Sequence, residues 1–158
     1  MENKIHHYHS SLAWIGQQGQ GTISYNAYSR NFRIRVGDKP DLLGSSDPSF
    51  RGDASRYNPE ELFLASLSSC HMLWYLHLCA DQGIVVTDYR DEAQAEMQEG
   101  DAEYAGRFVR VLLRPEVKIQ AASEIHLAEK LHQQAHTRCF IANSCNFPVL
   151  CEPVIRRN

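Results

Sequence analysis

The stretch from Asn58 to Ala80, NPEELFLASLSSCHMLWYLHLCA, constrains this chain more than any other. It opens with a complete helix-start signal. Asn58 can cap, Pro59 suits the first helical position, and Glu60 and Glu61 fall in the first turn. Glu61 stands three residues past Asn58, where its carboxylate can return to the cap and close a capping box. From Leu62 to Ala80 there is no Asp, Glu, Lys or Arg. A helix apolar nearly all round belongs inside a core or an interface, and this one carries a thiol, Cys70, near its middle.

With 158 residues the chain is expected to form a single domain, 1–158, with a sizeable core. A net charge of −3 gives no electrostatic case for nucleic acid or an anionic membrane as partner. The run Leu62–Ala80 is long enough to span a bilayer, but Ser66, Ser68, Ser69, His71 and His77 interrupt it. The polar start MENKIHHYHS carries no secretory signal. Five cysteines at irregular spacing fit neither a secreted disulfide framework nor paired zinc knuckles, so a reducing cytoplasm is the expected location.

Strands are expected on either side of the central helix. Ile5 to Trp14, Thr22 to Tyr25 and Phe32 to Val36 read as strands, with a glycine-rich turn over Gly16–Gly21. His6, His7 and His9 fall on both faces of the first of these, so no single face collects all three, and solvated strand histidines are expected rather than a metal site. Residues 37–57 form a long connection holding Arg51 and Arg56. After a C-cap at Gly83, residues 89–97 and 107–119 alternate as two antiparallel strands joined by EGDAEYAG. Ser123 is placed to cap a second helix with an apolar stripe of Leu127, Ala128, Leu131 and Ala135. Thr137 is placed to cap a third, short one. Phe147 to Ile155 reads as an edge strand broken by Pro148 and Pro153. This order makes an α+β domain.

Helical geometry sorts the thiols. Cys79, nine positions after Cys70, points to the opposite side of the helix, and His77 lies about 10 Å along the axis. Cys70 therefore needs a partner from elsewhere. Cys139 is the best placed, in the first turn after the Thr137 cap, where free N–H groups favour a thiolate. Glu60 is about 15 Å from Cys70 along the helix. A two-fold dimer packing two copies of the helix antiparallel would bring Glu60 of one chain towards Cys70 of the other. Cys79, Cys145 and Cys151 are adequately explained as small buried apolar residues.

Asn58-Pro59-Glu60-Glu61-Leu62, with Cys70 ten residues after Glu60 and a second cysteine late in the chain, resembles the OsmC/Ohr family of thiol-dependent peroxidases. The resemblance runs from about Trp14 onward. It implies an intertwined α+β homodimer with antiparallel sheets around two buried central helices. It also implies that Cys70 attacks an organic hydroperoxide and becomes a sulfenic acid, that Cys139 resolves it as a disulfide, and that an external dithiol reduces the disulfide. An arginine would hold Cys70 as thiolate and Glu60 would orient that arginine. Arg51, in Phe50-Arg51-Gly52, is preferred over Arg56. The family commonly has proline after the second cysteine, where this chain has Phe140. No cofactor or metal is expected. A redox sensor or small-ligand-binding protein on the same fold is the alternative function. A Cys/His metal-binding protein is a third reading with poor spacing support.

Overall fold

The computed structural model describes residues 4–158. The chain forms two compact units that divide between Leu62 and Phe63. In the first, β1 (Ser11–Trp14), β2 (Phe32–Arg35) and β3 (Leu42–Gly44) pair antiparallel in that order. The strand expected from Ile5 is thus cut to its last four residues, leaving the three histidines exposed outside it. Thr22 to Tyr25 lies in turns and bends rather than a strand.

Helix α1 (Pro59–Asp81) begins and ends where its signals place it. Asn58 Oδ1 accepts from the Glu61 N–H at 2.7 Å, and Glu61 Oε2 accepts from the Asn58 N–H at 3.0 Å, so the capping box is closed. At the other end Gly83 takes φ +70°. The Gly83 N–H donates to the Ala80 carbonyl and the Ile84 N–H to that of Cys79, the pair of bonds that ends a helix in a left-handed residue. By length and composition α1 is apolar enough to cross a membrane, yet it is tied into a folded core. Leu67, His71, Tyr75, Leu78 and Cys79 are buried, one stripe at three-to-four spacing.

The second unit holds two mixed sheets. One has the order β4 (Val86–Asp91), β7 (Pro115–Ile119), β9 (Val154–Arg157); the other β5 (Gln94–Gln98), β6 (Arg107–Leu113), β8 (Val149–Cys151). Each strand expected to be continuous, 89–97, 107–119 and 147–155, is split in two, one half in each sheet. The break falls at Glu92-Ala93, Arg114 and Glu152-Pro153. Prolines help set it. Pro115 and Pro153 lack the N–H that would continue a ladder. The Arg114 N–H, freed by the break, is taken by Asp91 Oδ1 at 2.7 Å. β4–β7 and β5–β6 are antiparallel as expected, while β8 and β9 join as parallel edge strands.

Helix α2 (Ile125–Arg138) lays Ala128, Leu131 and Ala135 into a core with Tyr75, Leu78, Cys79, Ile84, Val117 and Ile119. Its start differs from expectation: Ser123 Oγ accepts from the Val85 N–H instead of capping the helix. A second core cluster joins Leu67 to Val111, Leu113 and Val149, with Phe63 and Phe147 at its edge.

Candidate functional site

Cys70 is half-buried in the middle of α1, and Cys139 is buried at the end of α2; both are free thiols. The two thiols are near enough for Cys70 to shift the titration of Cys139. Burial first, then the adjacent Cys70, push the Cys139 thiol up to about 11. This reverses the expectation for Cys139. α2 runs through Thr137, whose hydroxyl donates back to the Gln134 carbonyl inside the helix, and Cys139 sits at the carbonyl end of α2. A positive N-terminus is replaced by a negative C-terminus, which disfavours a thiolate. A single turn does start at Cys139: its carbonyl accepts from the Asn143 N–H, and Sγ accepts from the Ala142 N–H at 3.4 Å. That contact partly offsets burial.

The thiol pair has an aromatic border. Trp74 lies one turn after Cys70, and Phe140 directly follows Cys139. Their rings meet edge-on with centroids 5.7 Å apart, and the Arg138 guanidinium lies 5.7 Å from the Trp74 ring centre. Phe140 is 71% exposed. After Cys139 the chain thus sets an aromatic ring edge-on against its central helix.

Arg51 and Glu60 belong to the first unit. Arg51 is exposed, in the left-handed region at φ 64°, at the end of the short 3-10 turn Pro48–Phe50. Asp47 builds that turn. Its Oδ1 accepts from the Ser49 N–H at 2.7 Å, a contact that holds the carboxyl below its usual range, and its carbonyl accepts from the Gly52 N–H. Gly52 is required there, because a Cβ would lie 1.5 Å from the Ser46 carbonyl oxygen. Arg56 pairs with Asp53 at 3.2 Å. Among the described residues neither Arg51 nor Glu60 forms a salt bridge; the Arg51 guanidinium instead faces the Tyr25 ring at 5.9 Å. The structure thus brings Cys70 and Cys139 together and leaves Arg51 and Glu60 unpaired with each other within one chain.

Sequence reasoning missed a second cluster. His71, next to Cys70, turns inward, and its Nε2 lies 3.0 Å from Nδ1 of His132 on α2 and 3.5 Å from Cys151 Sγ at the end of β8. The two imidazoles are stacked, and His132 also stacks on Tyr75 at 3.8 Å. Burial pushes His71 down to about 4 and His132 down to about 3, so both are neutral at pH 7. One signal was available. His132 is four residues after Ala128 and one after Leu131, inside the apolar stripe of α2.

An α+β chain with two adjacent free thiols, one on a capped central helix, defines a class of dithiol-bearing folds. The chain belongs to the OsmC-like protein family, whose profile matches residues 52–152. It is similar along 95% of its length to the whole of an OsmC-like protein of unknown function from Vibrio cholerae, at 29% identity and a TM-score of 0.85. An organic hydroperoxide resistance protein OsmC from Legionella pneumophila shares the fold at 18% identity and a TM-score of 0.70, over 97% of this chain and 98% of that one. The organic hydroperoxide resistance protein of Bacillus subtilis shares it at 18% identity and 0.59, over 94% and 98%. No curated protein matches the sequence.

Proposed function

We propose that this chain is a cysteine-based peroxidase that reduces organic hydroperoxides, working as a cytoplasmic homodimer. The observation that carries the reading is the free Cys70–Cys139 thiol pair bordered by Trp74 and Phe140. The Cys70 thiolate attacks the terminal oxygen of ROOH. The O–O bond breaks, RO⁻ takes a proton and leaves as ROH, and Cys70 becomes a sulfenic acid. The Cys139 thiolate then attacks the Cys70 sulfur and expels hydroxide, which leaves as water, to give a disulfide. An external dithiol returns both thiols and is itself oxidised. Trp74 and Phe140 supply an apolar approach for R. Arg51, which has no carboxylate partner among the described residues, supplies the cation that holds Cys70 as thiolate, and Glu60 orients it.

Turnover of cumene hydroperoxide with a dithiol reductant tests this. Wild type is expected to turn over, and Cys70→Ser to lose at least a hundredfold in kcat/KM. Absence of turnover in wild type, with a Cys70–Cys139 disulfide still formed by peroxide, would favour the redox-sensor reading instead. The raised Cys139 thiol, a slow resolving group, suits that second reading.

A further inference from the structure

His71, His132 and Cys151 form a donor cluster that peroxide reduction does not use. They come from α1, α2 and β8, and one donor atom from each lies within 4.8 Å of the other two. His71 and His132 are 1% and 2% exposed. An ion bound tetrahedrally at about 2.0–2.3 Å from nitrogen and sulfur holds such donors roughly 3.3–3.6 Å apart. His71 Nε2 already stands 3.0 Å from His132 Nδ1 and 3.5 Å from Cys151 Sγ. The remaining pair, within 4.8 Å, needs to close by about 1.3 Å at most, a small side-chain adjustment.

We propose that His71 Nε2, His132 Nδ1 and Cys151 Sγ bind a d10 cation, zinc(II), with one coordination position left open. Two imidazoles and a thiolate select such an ion over magnesium or calcium, which take oxygen ligands. Binding releases the Cys151 S–H proton to solvent. The proton shared between the two imidazoles moves to the outer nitrogen of the ring that held it. The Asp91 carboxylate, held by Ser68 and the Arg114 N–H, is near enough to act on both His71 and Cys151 electrostatically and offsets the remaining charge. The outer nitrogens, His71 Nδ1 and His132 Nε2, have no partner among the described residues. Partners at those atoms usually strengthen a site by about 10–100-fold. The expected site is therefore exchangeable, of micromolar rather than zinc-finger affinity. The ion would clamp together the two helices that carry Cys70 and Cys139.

The test titrates cobalt(II), whose thiolate charge-transfer band reports sulfur ligation, into the full chain stripped by chelator and kept reduced. One equivalent per chain is expected, with the band retained in the Cys70→Ser/Cys139→Ser double variant and lost in Cys151→Ser. X-ray absorption of zinc-loaded wild type needs no variant to fold, and is expected to read one sulfur and two imidazole nitrogens. No binding at tens of micromolar free metal overturns the site. So does a band that survives in Cys151→Ser or vanishes in the double variant, or a first shell with two sulfurs. None of these outcomes depends on peroxide turnover, so this site and the peroxidase reading stand or fall separately.

Discussion

Cys139 carries the largest difference between what its neighbours in sequence suggest and what the fold does with it. Burial, the main reason its thiol rises to about 11, remains after Cys70 is oxidised. The resolving nucleophile is the thiolate, and between pH 7 and its pKa each pH unit raises the thiolate fraction about tenfold. The rate of disulfide formation after a single peroxide pulse is therefore expected to climb about tenfold per unit from pH 7 upward. Dimedone-trapped Cys70 sulfenic acid, counted by mass spectrometry, should fall in parallel. A rate flat with pH over this range would mean that another group resolves Cys70 or that the thiol is activated during the reaction.

At the scale of elements, α1 was legible from end to end because its caps are local chemistry: Asn58 with Glu61 at one end, Gly83 at the other. Asn58→Ala removes the acceptor for the Glu61 N–H and the weak contact of Asn58 Nδ2 with Asp47. An unfolding free energy lower by about 1 kcal/mol is expected, within a range of about 0.5–2, measured by chemical denaturation; an unchanged value would mean the box adds nothing to the packing of α1. What was illegible depended on partners distant in sequence. Residues 109–119 alternate well on both sides of Arg114, so no pattern marks the break; the Pro115 ring and Asp91 do. Ser123 and Thr137 both read as caps, yet one bonds to Val85 and the other turns back into its own helix. The cysteine pair was found because a motif marks Cys70. The His71–His132–Cys151 cluster, assembled across 61 and 80 residues, has no spacing to read.

For the whole molecule, the open question is what covers the other face of α1. Only one stripe of the helix is buried within the chain. Ala65, Ser69, Leu73, His77 and Ala80 are exposed at three-to-four spacing on the opposite side, with Leu76 half-buried among them, and Leu73 is 62% exposed. Small residues around a central leucine let two such helices approach closely, and a two-fold axis there would set each α1 against its copy. The proposed chemistry asks for the same thing. Glu60 is about 15 Å from Cys70 along its own helix, so a glutamate acting on that site must come from a second chain. Leu73→Glu places two carboxylates against each other on such an axis without touching Cys70 or Cys139. It is expected to convert a dimer into a monomer in sedimentation velocity and to lower cumene hydroperoxide turnover at least tenfold, with the circular dichroism of each chain retained. Wild type sedimenting as a monomer at every concentration would remove the dimer. A monomeric Leu73→Glu variant with full turnover would keep the chemistry but confine it to one chain, and Glu60 would lose its role.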